Sequence, residues 1–179
     1  MTKNNIDIAS IRSAPLSKDS MKDVGLFDCS DQPNVEDFLK RDALRLEECN
    51  ACRTILYYYN NRLIGFYTLF TDYVNLVNSK RMSEGWRDVS TAMKSQHFPA
   101  IRLHYLGIDM KYRNKGLGAL LLLFALDTCI YISEYVGFNF IILEALKESV
   151  GFFERQNFSK VKLHNELHVM AIKLDDIKF

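Results

Sequence analysis

Three kinds of residue crowd one short stretch, MKYRNKGLGALLLL, Met110 to Leu123. Lys111, Arg113 and Lys115 carry positive charge, Gly116 and Gly118 lack side chains, and an apolar run follows at once. Where a strand gives way to a helix, the first N–H groups of the helix lack backbone partners. With the helix dipole they attract anions. Glycine lets an anion approach the main chain and tolerates positive φ. Read from these residues alone, the stretch is a cradle for phosphate or pyrophosphate. A P-loop needs G-x-x-x-x-G-K-[ST], which is absent, and the dinucleotide fingerprint needs a third glycine where Leu121 stands. The template R/Q-x-x-G-x-G/A is met by Arg113, Gly116 and Gly118.

Elements must position that cradle. Ala100 to Asp109 reads as a strand leading into it, and Gly116 to Tyr135 as a helix leading out. The helix is apolar on several sides, which predicts cover from more than one direction. Upstream, Ile6 to Ala14 reads as a first strand and Asn34 to Glu48 as a helix with acids near its start. Arg53–Tyr59 and Leu63–Phe70 are β-branched and aromatic, and Asn60 and Asn61 between them suit a hairpin turn. Gly65 inside the second of these marks a bulge or a close approach. Residues 71–99 are the least legible; Ser83 is a candidate helix cap there, and Trp86 either packs the core or anchors a ligand. Gly137 to Leu146 is a buried strand, followed by a helix through Ser149 to Arg155 and a last strand near His168 to Leu174. The order predicts α/β or α+β with a mixed sheet.

The chain has 179 residues and 48% hydrophobic composition, which predicts a single domain, 1–179. Its net charge of +1 makes no global case for nucleic acid, although local basic patches remain open. The opening residues lack the apolar core of a signal peptide, and the best apolar run, Leu117 to Val136, is interrupted by Asp127, Ser133 and Glu134. A cytoplasmic protein with reduced thiols and no membrane span is expected. Cys49 and Cys52 form a C-x-x-C without a matching pair or a neighbouring His, so buried or half-buried free thiols are expected and no metal site.

LGIDMKYRNKGLGALLL resembles the acetyl-coenzyme A motif of the GNAT acetyltransferase superfamily, and Phe152–Phe158, FFERQNF, resembles its second signature. The resemblance implies a GNAT-like mixed, mostly antiparallel sheet, with two central strands that splay, flanked by helices. It implies acetyl-CoA as cosubstrate and no metal. Main-chain groups of Leu106, Gly107 and Ile108 would pair with the pantetheine arm. N–H groups of Asn114, Lys115, Gly116, Leu117, Gly118 and Ala119 would hold the pyrophosphate, with Arg113 and Lys115 adding charge at the rim. Phe153 stands where many relatives carry a proton-donating Tyr, and Asn157 where they carry Gly. Phenylalanine has no proton to give, so the usual acid step is in question.

The expected reaction is direct attack of a primary amine on the thioester carbonyl. His104 is a candidate base, or a histidine hydrogen-bonded on a sheet face. Tyr105 either replaces the missing acid or packs. Glu144 either relays protons through water or is a solvated strand-end carboxylate. His164 and His168 lie near the C-terminal strands that help form the acceptor site in this superfamily. Phe27, Cys29, Phe38, Leu39, Ala43, Gly65, Tyr67 and Leu69 match, in order, a GNAT subgroup of toxins that acetylate aminoacyl-tRNA. The first expectation is an N-acetyltransferase with an amine-bearing small molecule or peptide as acceptor. The second is a toxin acting on charged tRNA and paired with an antitoxin. The third is a non-catalytic coenzyme A-binding module. A homodimer is among the assemblies the resemblance implies.

Overall fold

The computed structural model describes residues 6–86 and 96–178. The described strands form a mixed α/β fold. They are β1 (Arg12–Pro15), β2 (Cys52–Tyr59), β3 (Arg62–Asn75), β4 (His97–Ile108), β5 (Phe140–Ala145), β6 (Ser159–His164) and β7 (Leu167–Lys173). Their order in the seven-stranded sheet is β1-β2-β3-β4-β5-β7-β6. The pairings are mostly antiparallel; β4 with β5 is parallel. The α-helices among the described residues are α1 (Met21–Leu26), α2 (Pro33–Asp37), α3 (Ala43–Glu48), α4 (Asn78–Ser83), α5 (Leu117–Ser133) and α6 (Lys147–Glu154).

By contacts the chain divides into two compact units, each built from two separate stretches. The first comprises Met1–Phe70 and Tyr105–Ala125. Its hairpin turns on Asn60 and Asn61 at φ +49° and +59°, the left-handed pair that a two-residue turn between twisted strands requires. The register slips between Tyr57 and Tyr58, which face Gly65 and Leu63, so Ile64 is the extra residue of a bulge. Gly65 is also a close approach: a Cβ there would lie 2.6 Å from Leu121 Cδ2 and 2.8 Å from the Gly107 carbonyl oxygen. Both expected roles of this glycine are met. The helix expected over Asn34–Glu48 is present but interrupted by a π-helical segment, Phe38–Asp42, in which the Ala43 N–H reaches the Phe38 carbonyl. Phe38, Leu39 and Ala43 join Leu16, Val24, Phe27, Leu56 and Phe66 in this unit's core.

The second unit comprises Thr71–His104 and Leu126–Phe179. Its core holds Val74, Leu76, Phe98, Phe140, Ile142 and Trp86. Trp86 stands edge-on to Phe140 at 5.0 Å and donates its indole N–H to Asp176 at 3.2 Å, so it packs the core. β4 and β5 pair over Ala100–Leu103 and Phe140–Leu143, and the ladder ends there although β4 runs on to Ile108.

Four expectations need correction. Ile6–Ala14 is not one strand: the Asp7 carboxylate accepts from the Ala9 N–H and the Ser10 hydroxyl, bending Ile8–Ser10 into a 3-10 turn before β1. Ser83 ends α4 rather than opening a helix, and its hydroxyl donates to the Lys80 carbonyl at 2.9 Å. The rest of the helix expected after it falls largely within 87–95, outside the described residues. α5 buries one face, Leu117, Leu121, Leu122, Ala125, Leu126 and Cys129, and leaves Leu123 and Tyr131 exposed, so its apolar surplus is partly solvated. Cys49 is an exposed thiol; Cys29, Cys52 and Cys129 are buried, and all four are free.

Candidate active site

The cradle lies in the first unit. β4 ends at Ile108, and Asp109, only 4% exposed, begins the loop. Its carboxylate accepts from the Lys111 N–H at 3.0 Å, shaping the turn Met110–Tyr112, and from the Asp28 N–H at 3.1 Å. The Asp109 N–H in turn donates to the Ile64 carbonyl at 3.0 Å. A buried carboxylate with these donors is satisfied, and it fixes where the loop starts.

The loop then passes through two left-handed residues, Asn114 at φ +58° and Gly116 at φ +78°. A Cβ on Gly116 would meet nothing within 4 Å, so it is the backbone angle, not space, that calls for glycine here. The Gly116 carbonyl accepts the Leu120 N–H at 3.2 Å, which makes Gly116 the residue preceding the first turn of α5. The N–H groups of Leu117, Gly118 and Ala119 have no acceptor among the described residues. This is the anion-attracting end of a helix of 17 residues. Lys111 and Lys115 are exposed beside it, the Lys115 ammonium 5.4 Å from the centre of the Tyr112 ring.

Arg113 is not free at the rim. Its guanidinium donates to the Ile108 carbonyl at 3.0 Å, to the Cys29 sulfur at 3.0 Å, and to the Asp31 carboxylate. The Arg113 contact holds the Asp31 carboxyl below its ordinary pKa, and burial pushes the Cys29 thiol up, so Cys29 is a neutral acceptor. The involvement of Asp28, Cys29 and Asp31 at this loop has no local signal, because 82 positions separate Asp31 from Arg113.

The other candidates are dispersed. Leu106 is half-buried, Gly107 and Ile108 are buried, and a Cβ on Gly107 would lie 2.5 Å from the Phe66 ring. Tyr105 is half-buried with its ring 4.9 Å from Phe38, against the first unit's core. In the second unit, burial and then Arg102 push the His104 pKa below its usual value, with Glu144 acting in the opposite sense. A histidine so placed is a neutral imidazole at pH 7 and can accept a proton. Glu144 is exposed and its carboxylate lies 3.5 Å from His164 Nδ1. His168 is half-buried and faces Ala145 across the β5–β7 ladder. Phe153 sits in α6 edge-on to Phe152 at 5.0 Å and Phe158 at 5.9 Å. Asn157 adopts φ +65°, the left-handed backbone that glycine would supply and asparagine tolerates. No group of three or more His, Cys, Asp or Glu able to hold a metal occurs among the described residues.

A tRNA-acetylating toxin of Mycobacterium tuberculosis is 26% identical over 164 residues, covering 91% of this chain and 93% of that protein. The structure of AtaT complexed with acetyl-methionyl-tRNAfMet superimposes with a TM-score of 0.77 at 21% identity, covering 92% of this chain and 95% of that one. The structure of AtaTR bound with acetyl-CoA does so with a TM-score of 0.72 at 21% identity, covering 94% and 96%. Both structures carry the same fold. The model of the acetyltransferase (GNAT) family matches residues 24–158, three-quarters of the chain and all of the cradle, and the chain belongs to that family.

Proposed function

We propose that the protein is an acetyl-CoA-dependent N-acetyltransferase, one catalytic domain over the whole chain, whose acceptor is the α-amine of an aminoacyl-tRNA. The carrying observation is the tRNA-acetylating relative, which matches along nearly the full length of both chains. It supports the charged tRNA over the general amine acceptor that the net charge of +1 and Phe153 had favoured. The matching N-terminal residues, from Phe27 to Leu69, point the same way. The toxin reading also implies an antitoxin partner and a cytoplasmic site of action.

In this reading the free amides of Leu117, Gly118 and Ala119 hold the pyrophosphate. The main chain of Leu106, Gly107 and Ile108 receives the pantetheine arm as an added strand would. His104, kept neutral by burial, takes the proton of the attacking amine, with Glu144 and His164 behind it. Phe153 offers no acid to the departing sulfur. A thiol with a pKa of about 8.5 leaves adequately as thiolate near neutrality, so the step is slowed rather than prevented.

The acceptor is tested by supplying acetyl-CoA with charged tRNA, free amino acids, polyamines or peptides, and reading thiol release and acetyl transfer. Transfer to charged tRNA is expected. Transfer confined to small amines or peptides would return the acceptor to the general class, and thioester binding without transfer to any of them would leave the coenzyme-binding module.

Phe153→Tyr is expected to raise kcat about tenfold, less than the roughly 10²–10⁴-fold of a fully positioned acid because the thiolate already leaves without one, with KM for acetyl-CoA little changed. Steady-state kinetics decide. An unchanged or lower kcat would mean that the sulfur is protonated by another route.

A further inference from the structure

The charge of Arg113 is engaged on its own protein, and its partners are the inference. The turn Asp28–Asp31 is tied to the loop Ile108–Arg113 at several points. The Asp28 N–H donates to the Asp109 carboxylate, and the Met110 N–H donates to the Asp28 carbonyl at 2.9 Å. The Ser30 hydroxyl lies 3.5 Å from the Met110 sulfur. Arg113 adds Asp31 and the Cys29 sulfur, and its Nε–H holds the last carbonyl of β4. The turn itself is anchored: the Cys29 N–H donates to Glu36 at 2.6 Å, Glu36 pairs with Lys40, and the Cys29 side chain is fully buried in the core. All of these residues belong to the first unit.

A guanidinium presents its donors in a rigid fork. Here one arm holds a carbonyl, one a carboxylate and one a sulfur. Its reach toward a bound phosphate is therefore committed elsewhere, whereas the amides that follow Gly116 remain open. We propose that Arg113, Asp31 and Cys29 form a brace that sets the angle of the pyrophosphate loop, and that Arg113 is a positioning residue rather than a phosphate ligand. The inference rests on acetyl-CoA binding at this cradle and is independent of the acceptor.

Asp31→Asn separates the two roles by sign. If Arg113 bound phosphate directly, neutralising Asp31 would release it and make the loop more positive, and acetyl-CoA would bind more tightly. A brace predicts the reverse, about tenfold weaker binding by calorimetric titration, the scale of one charge-assisted hydrogen bond partly screened by solvent. Arg113→Lys keeps the charge but loses the fork and is expected to weaken binding equally, with the double variant no worse than either single. Asp31 is exposed, so Asp31→Asn leaves the fold intact, which a thermal melt checks.

Amide spectra of the unliganded protein supply a readout that general destabilisation would not give. The Gly116 and Gly118 resonances move in Asp31→Asn, while those of Gly137 and Gly151 stay. Unchanged or tighter binding, unmoved Gly116 and Gly118 signals, or shifts spread over all four glycines would overturn the brace. No binding of acetyl-CoA by the wild-type protein at millimolar concentration would overturn both the brace and the donor assignment. Normal binding without tRNA acetylation would overturn only the acceptor.

Discussion

Gly118→Asp abolishes acetyl-CoA binding, more than about a hundredfold by titration, and leaves the protein as stable as wild type or slightly more so. The two effects have one source. Gly118 is the second residue of α5, among amides without an acceptor. An aspartate there supplies those amides with a carboxylate and complements the helix dipole, worth about 0.3–1 kcal/mol of stability. The same carboxylate occupies the place of the pyrophosphate and repels it; like charges about 4 Å apart oppose each other by about 4 kcal/mol at the effective dielectric of a protein surface. A variant that binds acetyl-CoA normally would move the pyrophosphate away from this helix. A variant that loses binding together with several degrees of melting temperature would show that Gly118 serves packing instead.

Gly65→Val is the largest expected loss of stability, about 3 kcal/mol, or a fall of roughly 6–12 °C in melting temperature for a chain of this size. Its first added atom would meet Leu121 Cδ2 at 2.6 Å, the Gly107 carbonyl at 2.8 Å and Ile108 Cδ1 at 2.9 Å. The leucine could turn aside, but a strand carbonyl cannot, so the substitution pushes β3 from the end of β4. Gly25 is the contrast. It lies in α1 with nothing within 4 Å of a Cβ, and Gly25→Ala is expected to stabilise by about 0.5–1 kcal/mol. A thermal melt of both variants checks the pair; equal melting temperatures would mean that the approach at Gly65 relaxes freely.

What was legible in the sequence was what local chemistry decides. The hairpin followed from Asn60 and Asn61, which accept left-handed backbone, and α5 followed from a long apolar run with a glycine start. The cradle was readable because charge, glycine and helix onset are contiguous there. β6 escaped notice because Ser159–His164 is mostly solvated and its apolar alternation is only two residues long, Val161, which packs against the core, and Leu163, which is exposed; it exists by pairing with β7. The π-helical segment has no residue that demands it; it lets Phe38, Leu39 and Ala43 all enter one core. Arg113 read as a rim cation because its partners lie in a turn that the chain has left far behind. Phe153 was plain as a letter, but its surroundings, two further phenylalanine rings, required the fold.

Both compact units are discontinuous in sequence, and this bears on how the protein is made. The first unit ends its first stretch at Phe70 and resumes only at Tyr105–Ala125. On a ribosome, the early strands and helices emerge before the segment that seats Leu121 against Gly65 and Arg113 beside Asp31. At about 5–20 residues per second that segment lags by roughly 3–11 s. Throughout that interval Gly65 and Phe66 lack the neighbours they meet in the finished fold, Leu121, Ile108 and Gly107, a period of exposure of the kind that chaperones cover. The anion-binding loop is thus among the last parts of its unit to take shape, and it is held by residues that were made among the first.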